Sequence, residues 1–190
     1  MQSGSVCVII PAAGASTRFG SADKLRQPWG NGTVLETVVQ KAAELAPLEI
    51  LVICAPGAGP VAGGRVVFNP APERGMAGSI STGVRAADDD AQGFLIWPGD
   101  MPTISTQAAL AVIAAGDVGS VVRPEFAGLP GHPVLFGASY RNALEAHQEG
   151  SGAKKILKDL MVLATTDASV IQDIDTRIDY EALRTKHLSS

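Results

Sequence analysis

The sequence predicts an α/β protein, a largely parallel sheet with helices on both faces. Short apolar strand-like runs alternate with helix-period segments along the chain, and several helical segments carry recognisable caps and stops. A third observation sets the size. At 190 residues, 46% apolar and 18% charged, with no internal repeat or linker, the chain suits one domain over 1–190 with a substantial core.

Residues 6–10 read as a buried strand. Residues 33–46 form a helix: Thr33 caps it, Glu36 completes a capping box, Pro47 follows its end, and Val34, Leu35, Val38, Val39 and Ala42 give its apolar face. Strands are expected at 49–54 and 65–68, separated by APGAGPVAGG, too rich in Gly and Pro for regular structure. A helix at 79–87 runs into the acidic turn 88–90. A strand at 93–97 precedes a helix at 105–115 capped by Ser105. Strands at 120–123 and 132–136, helices near 139–147 and 153–160, late strands at 162–165 and 170–174 and a last helix at 179–186 complete the pattern. Ligands of such sheets lie at the carboxyl ends of the strands.

The net charge of −4 argues against a general nucleic-acid binder, which needs a broad basic surface, but leaves room for a nucleotide site with a few local cations. No apolar run reaches membrane-spanning length, and no signal peptide is apparent, so a cytoplasmic protein without membrane partners is expected. Cys7 and Cys54 sit inside apolar runs and read as buried reduced thiols.

Four polar constellations fall at expected strand ends. In VCVIIPAAGASTRFGSADKL an apolar run enters a Gly-rich loop carrying Arg18 and Lys24. Ala12, Ala13 and Gly14 let a nucleotide approach the backbone, and the two cations suit phosphate oxygens. The dinucleotide fingerprint fails because ASTRF separates Gly14 from Gly20, and the P-loop fails because Ser21 and Ala22 follow Gly20. A dehydrogenase is therefore remote. In WPGDMP, Asp100 either caps a turn or holds a hard cation, Mg²⁺ favouring one or two carboxylates plus phosphate oxygens. In RGMAGS, small residues before a helix suit a base or sugar, with Ser79 in the segment and Asn69 just upstream as a reader of base or ribose. In DID, Asp173 and Asp175 point to one side of an extended segment and either complete a metal site or form a solvated edge. His132, between Gly131 and Pro133, is either structural or faces a substrate.

Together PAAGASTRFGSADKL, TVLETVV, GMAGSI, PGDMPTIS, GLPGHPVLFG, GSGAKKIL and DIDT with the following Asp179-Tyr180 run in order from residue 11 to residue 180. They resemble the MobA/MocA-like nucleotidyltransferases, most of all their molybdenum cofactor cytidylyltransferase branch. The resemblance implies a three-layer α/β/α, Rossmann-like nucleotide-diphospho-sugar transferase fold (GT-A-like), forming one nucleotidyltransferase domain. It implies transfer of a nucleoside monophosphate from an NTP to a phosphorylated acceptor, here molybdopterin or molybdenum cofactor, with Mg²⁺ and release of pyrophosphate. A molybdoenzyme or its maturation factor is the protein partner it suggests.

Carried onto matching positions, the resemblance assigns Ala12, Ala13, Gly14, Arg18 and Lys24 to the nucleotide, with Ser79 near the base. Asp100 is the Mg²⁺ ligand, and Asp173 and Asp175 belong to a late acidic motif near metal and product. Gly131, His132 and Pro133 line the acceptor pocket. Arg18, Lys24 and Asp100 are the expected catalytic residues. Ala-Ala-Gly with Gly-Asp-Met-Pro resembles members that use CTP, whereas GTP users tend to show Ala-Gly-Gly and Cys-Asp-Met-Pro. Two positions depart from the pattern: Pro11 replaces a usual Leu, and Arg177-Ile178 replaces Pro-Glu. The competing readings are a GTP-using guanylyltransferase, a sugar- or polyol-phosphate nucleotidyltransferase of the same fold, and a nucleotide-binding accessory protein without turnover.

Overall fold

The computed structural model describes residues 1–14, 18–20, 23–146 and 160–188. In chain order the elements are β1 (Val6–Ala12), the short pair β2 (Pro28–Trp29) and β3 (Gly32–Thr33), α1 (Val34–Glu44), β4 (Glu49–Cys54), β5 (Arg65–Phe68), α2 (Gly75–Ala86), β6 (Gly93–Ile96) and α3 (Thr106–Ala115). Then follow β7 (Val121–Phe126), β8 (Leu129–Pro130), β9 (Val134–Gly137), α4 (Arg141–Glu145), β10 (Leu160–Ala164) and α5 (Arg177–Leu188).

The main sheet runs β10-β7-β9-β6-β1-β4-β5, with β8 paired to the end of β7. β1 is parallel to β4 and β6, β4 to β5, and β7 to β10. Only β9 and the short β8 run against their neighbours. The sheet is therefore mostly parallel, and β1, β4 and β6 end at the same edge.

Period-two alternation along β1 feeds two cores. Val6, Val8 and Ile10 pack with Val38, Val112 and Leu183 of α1, α3 and α5, while Cys7 and Ile9 pack with Val84 and Leu144 of α2 and α4. Helices thus cover both faces, the expected three layers. Both cysteines are free and buried, and burial is the first cause that raises each thiol pKa. Among the described residues no helix is long and apolar enough to cross a membrane.

The expected capping box is present: the Thr33 hydroxyl accepts from Glu36 N, and Glu36 Oε2 accepts from Thr33 N at 2.8 Å. Ser105 caps α3 through Ala108 N. Two expectations need correction. Helix α2 begins at Gly75, four residues before the expected 79, because Gly78 lets its first turn settle on the preceding loop; a Cβ there would lie 2.8 Å from Arg74 Cβ. Residues 170–174 are not a strand. Asp167 accepts from Ser169 N and bends the chain into a 3-10 turn, Ala168–Ile171, after which the segment crosses the strand ends instead of pairing with an edge. The expected helix at 153–160 lies outside the described residues except for Leu160, which opens β10.

Helix α2 approaches β1 unusually closely. A Cβ on Gly83 would lie 2.6 Å from Ile9 Cγ2 and 3.2 Å from Ile53 Cδ1. Alanine favours a helix over glycine by about 1 kcal/mol, yet overpacking costs about 1–3 kcal/mol. Gly83→Ala is expected to lower stability in urea unfolding by up to about 2 kcal/mol, the overpacking cost less the helix gain; a variant more stable than the parent would contradict the close packing.

Candidate active site

Asp100 stands in the turn that follows β6. That turn is pinned to the end of β1: Trp97 N donates to Ile9 O and Gly99 N to Pro11 O, while the Trp97 indole donates to Met101 O. Pro11 continues β1 in register with Ile53, so this departure from the family pattern leaves the strand intact and supplies the carbonyl that holds Gly99. Lys24 opens a 3-10 turn, Lys24–Arg26, capped by Asp23 accepting from Leu25 N and anchored by buried Leu25. Asp175 arrives from the far end of the chain. Ile174 N donates to Asp100 O at 3.0 Å, which ties the late acidic segment to the Asp100 turn.

These three elements converge. Lys24 Nζ donates to Asp100 Oδ2 at 2.6 Å and to Asp175 Oδ1 at 3.3 Å, and Arg18 pairs with Asp175 Oδ2 at 2.8 Å. The Lys24 side chain is only 14% exposed, against 74% for Arg18. The inner contact is therefore shielded from water and the outer one is not, and exposed pairs contribute little. Burial opposes the Lys24 charge, but the carboxylates of Asp100 and Asp175 outweigh it and hold the ammonium pKa above its ordinary value. Asp173 is pushed up, first by burial and then by the charges of Asp175 and Asp100.

Two cavities meet at this cluster. One, of about 270 Å³, is lined by Ala12, Ala13, Gly14, the first turn of α2 at Gly75, Met76 and Ser79, and the charged cluster. The second, of about 400 Å³, is lined by Met76, Met101, Pro130, His132, Val170, Ile171 and Asp173. Arg18, Lys24, Met76, Pro98, Asp100 and Asp175 border both. Because α2 starts at Gly75, its free N–H groups and positive dipole end face the first cavity, where a negative group is stabilised.

Not every residue singled out from the sequence faces a cavity. Asn69 is 1% exposed and lines neither. Its amide donates to Ser79 Oγ at 3.2 Å and accepts from Ala71 N at 2.9 Å, so it fixes the loop behind Ser79. Gly131 and Pro133 are buried and also line neither cavity. Gly131 allows close approach, since a Cβ there would lie 2.7 Å from Val170 O. Next to it His132 N donates to the same carbonyl at 2.8 Å, and the His132 ring lines the second cavity. Burial lowers the His132 pKa, the nearby Asp100 only partly opposing it, so the ring is neutral near pH 7; its Nδ1 has no hydrogen-bond partner.

The other departure, Arg177-Ile178, lines neither cavity. Arg177 pairs with Glu181 and Ile178 is 79% exposed, both on the outer side of α5. That helix instead starts through Asp179, which accepts from Thr176 N at 2.7 Å. Residues 15–17, 21–22 and 147–159, including all of GSGAKKIL, lie outside the described residues. Sequence reasoning missed the apolar wall of Met76, Met101, Pro130, Val170 and Ile171. Met76, Met101 and Pro130 lie inside the motifs RGMAGS, WPGDMP and GLPGHPVLFG but have no role assigned there, and Val170-Ile171 reads as strand.

Comparison with known proteins places the fold in a family. The family model described as the MobA-like NTP transferase domain matches residues 8–166. The molybdenum cofactor cytidylyltransferase of Escherichia coli (strain K12) is 28% identical over 182 residues, spanning 90% of this chain and 92% of that protein. A nucleotidyl transferase from Methanothermobacter superposes with a TM-score of 0.84 at 22% identity, covering 97% of this chain and 98% of that one. Rv0371c of Mycobacterium tuberculosis H37Rv, solved in complex with manganese, does so at 0.77 and 22%, covering 95% and 98%. These structural likenesses concern the fold; the match over residues 8–166 goes further, and by it the chain belongs to the MobA-like NTP transferase family of nucleotidyltransferases.

Proposed function

We propose that residues 1–190 form one nucleotidyltransferase domain that transfers CMP from CTP to the phosphate of a pterin-type acceptor, molybdopterin or molybdenum cofactor, with release of pyrophosphate. The observation that carries this reading is the shared border of the two cavities. Lys24, Asp100 and Asp175 stand where a nucleotide in one space meets an acceptor in the other. The curated relative that acts as a cytidylyltransferase supports the choice of base, as does Ala12-Ala13-Gly14 in the first cavity.

The donor set suits a divalent cation. Asp100 and Asp175 already converge on one cation, the Lys24 ammonium. Among the described residues there is no group of three or more His, Cys, Asp or Glu side chains able to hold a metal. Mg²⁺ takes one or two carboxylates and completes its shell with phosphate oxygens and water, so Asp100 and Asp175 suffice for it. Bound by Asp100 and Asp175, Mg²⁺ would supply Lewis-acid neutralisation of the phosphates.

The protein's own groups do the rest. No protein nucleophile is required, because the acceptor phosphate oxygen attacks the α-phosphorus in line with departing pyrophosphate. Ala12, Ala13 and Gly14 admit the nucleotide against backbone, and the α2 N-terminus and Ser79 face it. Lys24 and Arg18 stabilise charge on the α-phosphate and the leaving group. The neutral His132 ring borders the acceptor space beside the apolar wall of Met101 and Pro130 that receives a flat ring.

Pyrophosphate release should be measured with each of the four NTPs, with and without molybdopterin. CTP is expected to give acceptor-dependent release well above the others. A preference for GTP overturns the base assignment, and release independent of any pterin overturns the acceptor. Asp100→Asn is expected to cost about 10²–10³-fold in turnover, with an unchanged far-ultraviolet circular dichroism spectrum; near-normal turnover in the folded variant would remove Asp100 from the mechanism.

A further inference from the structure

Lys24 occupies an awkward place for a phosphate-binding residue. Its ammonium lies 2.6 Å from Asp100 Oδ2 and 3.3 Å from Asp175 Oδ1, between the carboxylates that suit a divalent ion. Mg²⁺ sits about 2.0–2.1 Å from a carboxylate oxygen. An ion on the same oxygens would crowd the ammonium, and two cations at that distance repel strongly inside a half-buried site. Lys24 also cannot drift away unaided, because burial makes an unpaired ammonium costly.

A triphosphate changes both conditions. It offers Lys24 anionic oxygens in the adjoining cavity, which Lys24 already borders, and it brings ligands for the metal. Asp175 does not lose all its partners in that exchange, since Arg18 holds its other oxygen at 2.8 Å. We propose that the Lys24 ammonium is a resident cation, holding the metal's place between Asp100 and Asp175 and yielding it only when a triphosphate takes the ammonium over. Metal and nucleotide then enter together, and the nucleotide-free protein is protected from binding metal unproductively. This rests on the metal reading of Asp100 and Asp175 given above.

The test is equilibrium binding of Mn²⁺, read by electron paramagnetic resonance as loss of the free-ion signal. Wild-type protein and Lys24→Met are compared, each with and without a CTP analogue whose α and β phosphates are bridged by carbon. Metal held by the analogue in solution is subtracted. Without nucleotide, Lys24→Met is expected to bind Mn²⁺ roughly tenfold more tightly than wild type, while wild type gains a comparable factor on adding the analogue. Equal affinity of the two proteins without nucleotide would overturn the proposal, and so would tight Mn²⁺ binding by nucleotide-free wild type. If wild type fails to bind Mn²⁺ even with the analogue, the metal reading itself falls and takes the proposal with it. If Lys24→Met proves unstable, which its thermal unfolding will show, Lys24→Gln takes its place, and tight Mn²⁺ binding by nucleotide-free wild type overturns the proposal without either variant.

Discussion

The site depends on one ammonium held between two carboxylates that come from distant parts of the chain. Asp100 is 76 positions from Lys24 and Asp175 is 151 away. Such a contact needs backbone stiffness on three sides. The Asp100 turn obtains it from β1, through hydrogen bonds to Ile9 O and Pro11 O. The Lys24 turn obtains it from Asp23 and buried Leu25. The late acidic segment obtains it from the Ile174-to-Asp100 backbone bond and from α5, whose Tyr180 hydroxyl donates to Pro28 O at 2.6 Å. Phe19 and Trp29 pack on the Tyr180 ring, so the aromatic cluster links α5 to the strand pair that follows Lys24.

The parallel sheet explains why this happens where it does. β1, β4, β5 and β6 end at one edge, so the loops that follow them gather there. Both cavities open at that edge. One is walled by backbone and a helix N-terminus, which suits phosphate and sugar. The other is walled by Met76, Met101, Pro130, Val170 and Ile171, which suits an apolar ring system. Placing the charges on the common border spares either cavity from burying an unpaired ion.

Much of this was legible in the residues, because local chemistry decided it. Thr33 with Glu36 and Ser105 mark the starts of α1 and α3, since each side chain satisfies a backbone donor within three positions. Lys24, Asp100, Asp173 and Asp175 could be nominated by residue type at expected strand ends. What failed depended on tertiary contact. The GMAGS segment reads as loop because glycine disfavours helix, yet close packing against Arg74 makes Gly78 the residue that lets α2 begin early. Asn69 looked like a reader of the nucleotide because a polar residue at a strand end usually faces solvent, whereas here it is spent on Ser79 and Ala71. The bond from Tyr180 to Pro28 spans 152 positions, and no local pattern announces it.

The central claim is that the cluster of Lys24, Asp100 and Asp175 is the meeting point of metal and nucleotide. The most direct measurement is a crystal structure of the protein with CTP and Mn²⁺, using the anomalous signal to locate the metal. The account predicts an anomalous peak bonded to Asp100 and Asp175, with the triphosphate running from it into the cavity lined by Ala12, Ala13 and Gly14. Manganese bound elsewhere, or a nucleotide lying outside that cavity, would contradict it.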